Sequence, residues 1–170
     1  IGQLGEESVA AIGLANQVWF LLNLVIFGVV SGSAMFVAQL WGKKDIPNIQ
    51  RVLGLTVKLS LVAAIFFWAV AVFFPSAALS LYTEDPAVIE IGSRYLRIFG
   101  WSYIFFAITA TFSVASRSTG NVRLPLAVST SALGLNVILA AALIFGVRFL
   151  RIPALGVEGA AIAGLIARLI

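Results

Sequence analysis

The sequence predicts an all-α polytopic membrane protein, with four complete transmembrane helices, a truncated fifth and no soluble domain. Three observations carry this. Of 170 residues, 61% are hydrophobic and 11% charged, against roughly 45–50% and about 25% in globular chains. The apolar residues fall in runs that reach the ~20 positions needed to cross a hydrocarbon core of about 30 Å. The connectors alternate in sign, basic at Lys43 and Lys44, acidic at Glu84 and Asp85, and basic again at Arg117 and Arg123, as cytoplasmic and outer loops do.

Composition also excludes several chemistries. The net charge of +4 would elsewhere point to nucleic acid, but the bases cluster at helix ends, so the bilayer and not a nucleic acid is the expected partner. With no cysteine and no histidine, disulfides, thiolate catalysis and imidazole metal sites have no parts. The chain begins at Ile1-Gly2-Gln3 and ends at Arg168-Leu169-Ile170 inside an apolar run, and an internal fragment of a longer protein is expected.

Glu6 and Glu7 mark an outer end, and Ser8 fits an N-cap. The helical pattern then runs to about Leu40, about 50 Å at ~1.5 Å per residue, longer than the bilayer core, so this span must tilt, bend or project. Asn16 and Asn23 are seven apart and share a face that Phe27 and Ser31 continue. Gly28 and Gly32, four apart, form a flat face for close helix packing. After Gln39 the run breaks at Trp41-Gly42-Lys43-Lys44-Asp45. An interfacial aromatic followed by two lysines is the cytoplasmic end of a membrane helix.

The second span is expected from about Val52 to Ser80, with Lys58 snorkelling back to the inner surface. Its Phe66, Phe67, Trp68, Phe73 and Phe74 make it the most lipophilic and largely lipid-facing. Thr83-Glu84-Asp85-Pro86 is a helix start, combining capping side chains with a proline whose missing N–H costs nothing there. The third span is read from Pro86 to about Ser116, with Glu90 and Arg94 spaced to pair. Ser102, Thr109, Ser113 and Ser116 form a small polar stripe. Interhelical hydrogen bonds, worth about 0.6–2 kcal/mol each, and the lining of a cavity both account for such a stripe.

Pro125 begins the fourth span, in which Ser129 and Asn136 are seven apart on one face, and Ile144-Phe145-Gly146 closes it. A loop with Arg148, Arg151 and Pro153 follows. From Gly156 to Ile170 a fifth span offers Gly156, Gly159, Ala160, Ala163, Gly164 and Ala167 in overlapping small-xxx-small pairs, a helix made for tight packing. Lys43, Lys44, Arg51, Arg117, Arg123 and Arg168 fall on the inner side and Arg148 and Arg151 on the outer, which sets the orientation. Arg94 and Arg97 run against it and are assigned to local pairing with Glu90. Of the acids, only Glu90 and Glu158 fall within spans, and both lie near span ends.

These residues resemble one family, the multidrug and toxic compound extrusion (MATE) transporters, over nearly the whole chain. The motifs come in family order: Gly2-Gln3-Leu4-Gly5, Ala10 to Gln17, Ser31-Gly32, Ala38-Gln39-Leu40-Trp41-Gly42-Lys43-Lys44-Asp45, Tyr95-Leu96-Arg97-Ile98, Arg117-Ser118-Thr119-Gly120-Asn121, Leu135-Asn136, Leu143-Ile144-Phe145-Gly146, and Pro153 to Ala161. The resemblance implies helices two to six of one six-helix lobe, the N-terminal one, with a second lobe of the same chain as partner. It further implies export of cationic and amphipathic compounds by alternating access, coupled to protons or sodium ions, in a bacterial inner membrane. No cofactor is implied beyond that transported ion. On the polar faces read above, Asn16, Gln17, Asn23, Ser129 and Asn136 are the expected cavity residues. Two positions depart from the family pattern: the acidic residue that some members carry four positions after the Leu-Asn pair is Ala140 here, and a frequent threonine is Gly164.

Two other readings are weaker. A lipid-linked oligosaccharide flippase of the same superfamily is expected to line its cavity with bases, and the mid-membrane faces offer amides and hydroxyls. An intramembrane enzyme would need paired acids or an activated nucleophile, and no carboxylate lies mid-span.

Overall fold

A computed structural model describes residues 6–145 and 156–168. All regular structure among them is helical: α1 (Glu6–Gly42), α2 (Ile46–Phe73), α3 (Pro75–Ser80), α4 (Pro86–Phe99), α5 (Ser102–Ser118), α6 (Arg123–Phe145) and α7 (Gly156–Ala167). The helices α1, α2 and α6 are each long and apolar enough to cross a membrane, and α4 with α5 makes a fourth, broken span. With the shorter α7, this is the expected count of four spans and part of a fifth.

The long helix α1 is the centre of the lobe and packs against α2, α4 and α5. Its buried residues Ala11, Ala15, Val18, Leu22, Ile26 and Val30 recur every three or four positions, one stripe of a 3.6-residue helix. Facing them are Ala64 and Ala71 from α2, Leu96 and Phe99 from α4, and Tyr103 and Ala107 from α5. Small residues opposite large ones bring helix axes close where lipid supplies no hydrophobic drive.

The connectors follow their side chains. The Asp45 carboxylate accepts from the Asn48 backbone N–H at 3.3 Å and from its side-chain amide at 2.7 Å, capping α2. Asp85 accepts from the Ala87 N–H at 2.9 Å ahead of Pro86, so the helix start expected there is present. Arg94 and Glu90 pair at 2.6 Å on an exposed face of α4. Phe66, Phe73 and Phe74 are exposed as a lipid face requires, whereas Phe67 packs on the core and Trp68 meets the Trp101 ring at 5.0 Å.

Five boundaries differ from expectation. The second span begins at Ile46 and not at about Val52, because Asp45 caps it there. Ser8 lies within α1, two residues past its start, and is buried, so it is not the N-cap. The second span ends at Phe73 and not Ser80, because Pro75 holds Phe74 out of the helical region (φ −127°) and starts the separate turn α3. The third span breaks between Phe99 and Ser102, and α4 and α5 meet at a 52° bend. At that break a Cβ on Gly100 would fall 2.9 Å from the Ala71 Cβ, so glycine lets α2 close on the elbow. The fourth span begins at Arg123, two residues before Pro125, with the Asn121 side-chain oxygen 3.4 Å from the Leu124 N–H. Gly146, the basic loop at Arg148 and Arg151, and Gly2-Gln3-Leu4-Gly5 lie outside the described residues.

Candidate functional site

The helix α6 stands apart from the rest. It packs chiefly on α7, while Leu124, Leu126, Leu133, Val137 and Ile138 remain exposed. Between α6 and the α1, α4 and α5 wall the structure opens into two clefts that share Ala132, Ala167 and Arg168. The first, of about 470 Å³, takes Asn23 and Phe27 from α1, Thr109 and Ser113 from α5, and Ser129 from α6. The second, of about 400 Å³, takes Asn16 from α1, Tyr95 and Phe99 from α4, Asn136 and Ala140 from α6, and Ala160 and Gly164 from α7.

Four of the five residues expected in the cavity therefore come together in pairs across the lobe, Asn16 with Asn136 and Asn23 with Ser129. The heptad spacing within α1 and within α6 produces this, since residues seven apart share a face two turns apart. Gln17 does not join them, being exposed on α1 and lining neither cleft. None of Asn16, Asn23, Ser129 and Asn136 makes a side-chain hydrogen bond to any described residue, so interhelical bonding does not account for them within this lobe. Thr109 and Ser113 line the first cleft, but Ser102 is buried at the elbow.

The packing residues divide. A Cβ on Gly159 would fall 2.5 Å from the Leu143 carbonyl oxygen and one on Gly164 2.7 Å from Phe99, so both are sites of close approach, between α7 and α6 and between α7 and α4. Gly156 begins α7 with φ +54°, a conformation that favours glycine, and Ala160 lines the second cleft. Gly28 and Gly32 differ from expectation. A Cβ on either would meet nothing within 4 Å, so this face touches no helix among the described residues.

The largest correction concerns Arg168. Its position near a run of apolar residues placed it with the inner-surface bases, yet the structure puts it in the middle of the lobe. Its Cζ lies 4.9 Å from the centroid of Trp19, 4.8 Å from Phe99 and 5.2 Å from Phe106, and its Nη1 reaches Ser102 Oγ at 3.4 Å. Trp19 is thirteen residues into α1, ~20 Å from its outer end at ~1.5 Å per residue. The same arithmetic was available in the sequence: twelve residues separate Gly156 from Arg168, ~18 Å of helix, too short to reach the inner surface. The inner bases are therefore Lys43, Lys44, Arg51, Arg117 and Arg123, and a base does line the clefts. Its absence was the ground for setting the flippase aside, and that ground does not hold. No group of three or more His, Cys, Asp or Glu that could hold a metal comes together among the described residues.

The chain matches the MatE family over residues 1–142. It is 31% identical to "Probable multidrug resistance protein NorM" of Rhizobium meliloti, over 97% of this chain and 35% of that protein. It is 26% identical to "Probable multidrug resistance protein YoeA" of Bacillus subtilis, over 96% of this chain and 35% of that protein. The chain thus spans about a third of the length of the relatives it matches. Its fold superposes with a TM-score of 0.87 on a crystal structure of a MATE protein in complex with MaD3S, at 21% identity, covering 99% of this chain and 37% of that one.

Proposed function

The chain belongs to the MatE family, and from that premise we propose that it forms most of one lobe, helices two to six of the N-terminal one, of a secondary transporter. That transporter exports cationic and amphipathic organic compounds across a bacterial inner membrane in exchange for protons or sodium ions. It has no cofactor beyond the coupling ion, and a second lobe of the same protein completes the pathway.

One observation carries this reading. In a chain of apolar helices, amides and hydroxyls of three of them converge on two connected clefts without bonding one another. Lipid cannot satisfy such groups, so they belong where water or a solute enters. The combined volume suits a drug-sized molecule. The elbow between α4 and α5 borders the second cleft through Phe99, and broken helices at a repeat interface are a common way to build a transport site near the bilayer midplane. The weak attachment of α6 to α5 permits the movement that alternating access needs.

Efflux of a fluorescent organic cation from cells expressing the full-length transporter, with the proton and sodium gradients collapsed separately, tests the reading. Extrusion that stops when one gradient is removed is expected. Extrusion indifferent to both would overturn ion antiport, and no extrusion of any amphipathic dye by correctly inserted protein would overturn export.

A further inference from the structure

Arg168 makes no ion pair among the described residues. The pair recorded there, Glu90 with Arg94, lies on the exposed face of α4. A guanidinium at mid-membrane depth without a counter-anion is expensive. Three aromatic faces at 4.8–5.2 Å supply part of what it loses, since a cation over a ring face is attracted to the ring quadrupole. Rings supply no hydrogen-bond acceptor for its N–H groups. Of five N–H donors, one is engaged, in a long contact of 3.4 Å to Ser102. The side chain borders both clefts. Its remaining donors therefore meet whatever enters them.

We propose that Arg168 is the recognition point for a carboxylate carried by the transported molecule, so that these clefts select amphipathic zwitterions over simple organic cations. The inference rests on the transport reading and deepens it. The three rings around the guanidinium hold it in place, and a held, forked donor suits a bidentate carboxylate. Ile26, Phe27, Phe106 and Val128 give the first cleft an apolar wall that fits a planar hydrophobic body, and a second base, Arg117, lines it as well. Asn23 and Ser129 lie there to orient its polar substituents. A molecule bearing positive charge alone would meet a like charge at Arg168 with no acid beside it.

Rhodamine 110 and rhodamine 123 share one cationic ring system and differ in that the first has a free carboxylate and the second its methyl ester. Binding of each to the purified full-length transporter, in an uncharged detergent and without any ion gradient, is followed by fluorescence anisotropy. The wild type is expected to bind the acid about tenfold more tightly than the ester, the order of one charge-assisted hydrogen bond. Arg168→Gln should remove that gap by weakening the acid alone, and Arg168→Lys should keep part of it. Equal binding of acid and ester by the wild type would overturn the proposal without any variant, as would equal weakening of both dyes in Arg168→Gln. Displacement of the acid by phosphatidylglycerol at equal concentration would assign the arginine to a lipid phosphate instead. If the binding preference holds but neither dye is moved by a gradient in proteoliposomes, the transport reading fails and the carboxylate site stands.

Discussion

The Gly164 backbone lies against the Phe99 ring so closely that a Cβ would fall 2.7 Å from Phe99 Cε2. Phe99 stacks on Tyr95 at 5.1 Å and lies beneath Arg168 at 4.8 Å, so the absence of a side chain on α7 sets the position of the ring that supports the cation. Gly164→Thr, which would restore the residue frequent in the resembling family, is expected to displace the ring and cost about 1–3 kcal/mol by overpacking. Thermal unfolding of the purified transporter should show the loss. An unchanged midpoint together with unchanged Trp19 fluorescence would mean the ring has room to move.

Gly159 and Gly32 provide a contrast between two residues of one type. At Gly159 the obstacle is the Leu143 backbone, 2.5 Å from a Cβ, and backbone cannot swing aside as a side chain can. Gly159→Ala should therefore separate α7 from α6 and lower stability by about 1–3 kcal/mol. Gly32→Ala should change it by no more than about 1 kcal/mol, the helix-propensity difference alone. Gly32→Leu should leave the stability of this lobe intact, since a Cβ there meets nothing within 4 Å, and is expected to reduce efflux by blocking the approach of another helix. Wild-type efflux from the leucine variant would show that this face looks at lipid.

How much of this was legible before the structure depends on the kind of signal. Asp85 caps where a helix start was expected, because capping is local: the carboxylate, the following proline and the first free N–H groups lie within three residues. Asp45 starts α2 by the same device, six residues ahead of the expected Val52. The heptad pairs Asn16 with Asn23 and Ser129 with Asn136 gave the faces correctly, but which pairs meet across the lobe is a tertiary matter that spacing does not encode. The break at Phe99–Ser102 was missed because Gly100 sits inside an unbroken apolar run. Its meaning comes from Ala71 on another helix, 29 positions earlier. Pro75 is a local signal for the end of α2, since the residue before a proline is driven from the helical region. Arg168 departs from expectation because the positive-inside rule concerns loops and helix ends, and this residue lies twelve positions into a helix.

Asn136 is half-buried on α6 and faces Asn16 across the second cleft with no side-chain hydrogen bond to a described residue. Asn136→Ala should leave expression and unfolding near wild type, since no bond to a described residue is lost, and should change the relative efflux of a panel of dyes by severalfold. Equal loss of folded protein and of all transport would return the residue to a structural role.

No carboxylate in this chain is expected to be the obligatory coupling group. Such a group must sit where its occupancy can alter the balance between the two states of the clefts. Glu90 is exposed near the outer end of α4 and paired with Arg94 at 2.6 Å. Glu158 occupies the first turn of α7 and borders, with Ser8 and Arg94, a separate hollow of about 200 Å³. Neither lines the clefts at Arg168. The position where the resembling family can carry an acid is Ala140, which lines the second cleft and carries no ionisable group. Coupling then belongs to a helix outside this chain. Glu90→Gln and Glu158→Gln in the full-length transporter should each keep gradient-driven efflux within about twofold of wild type, the ~0.4 kcal/mol that a bystander charge can cost. Loss of ion dependence in either variant, with normal insertion, would place coupling on this lobe. Ala140→Glu offers the complementary measurement: a carboxylate there would face Asn16 and Arg168, and pairing with that cation should abolish the preference for the acid dye without impairing insertion.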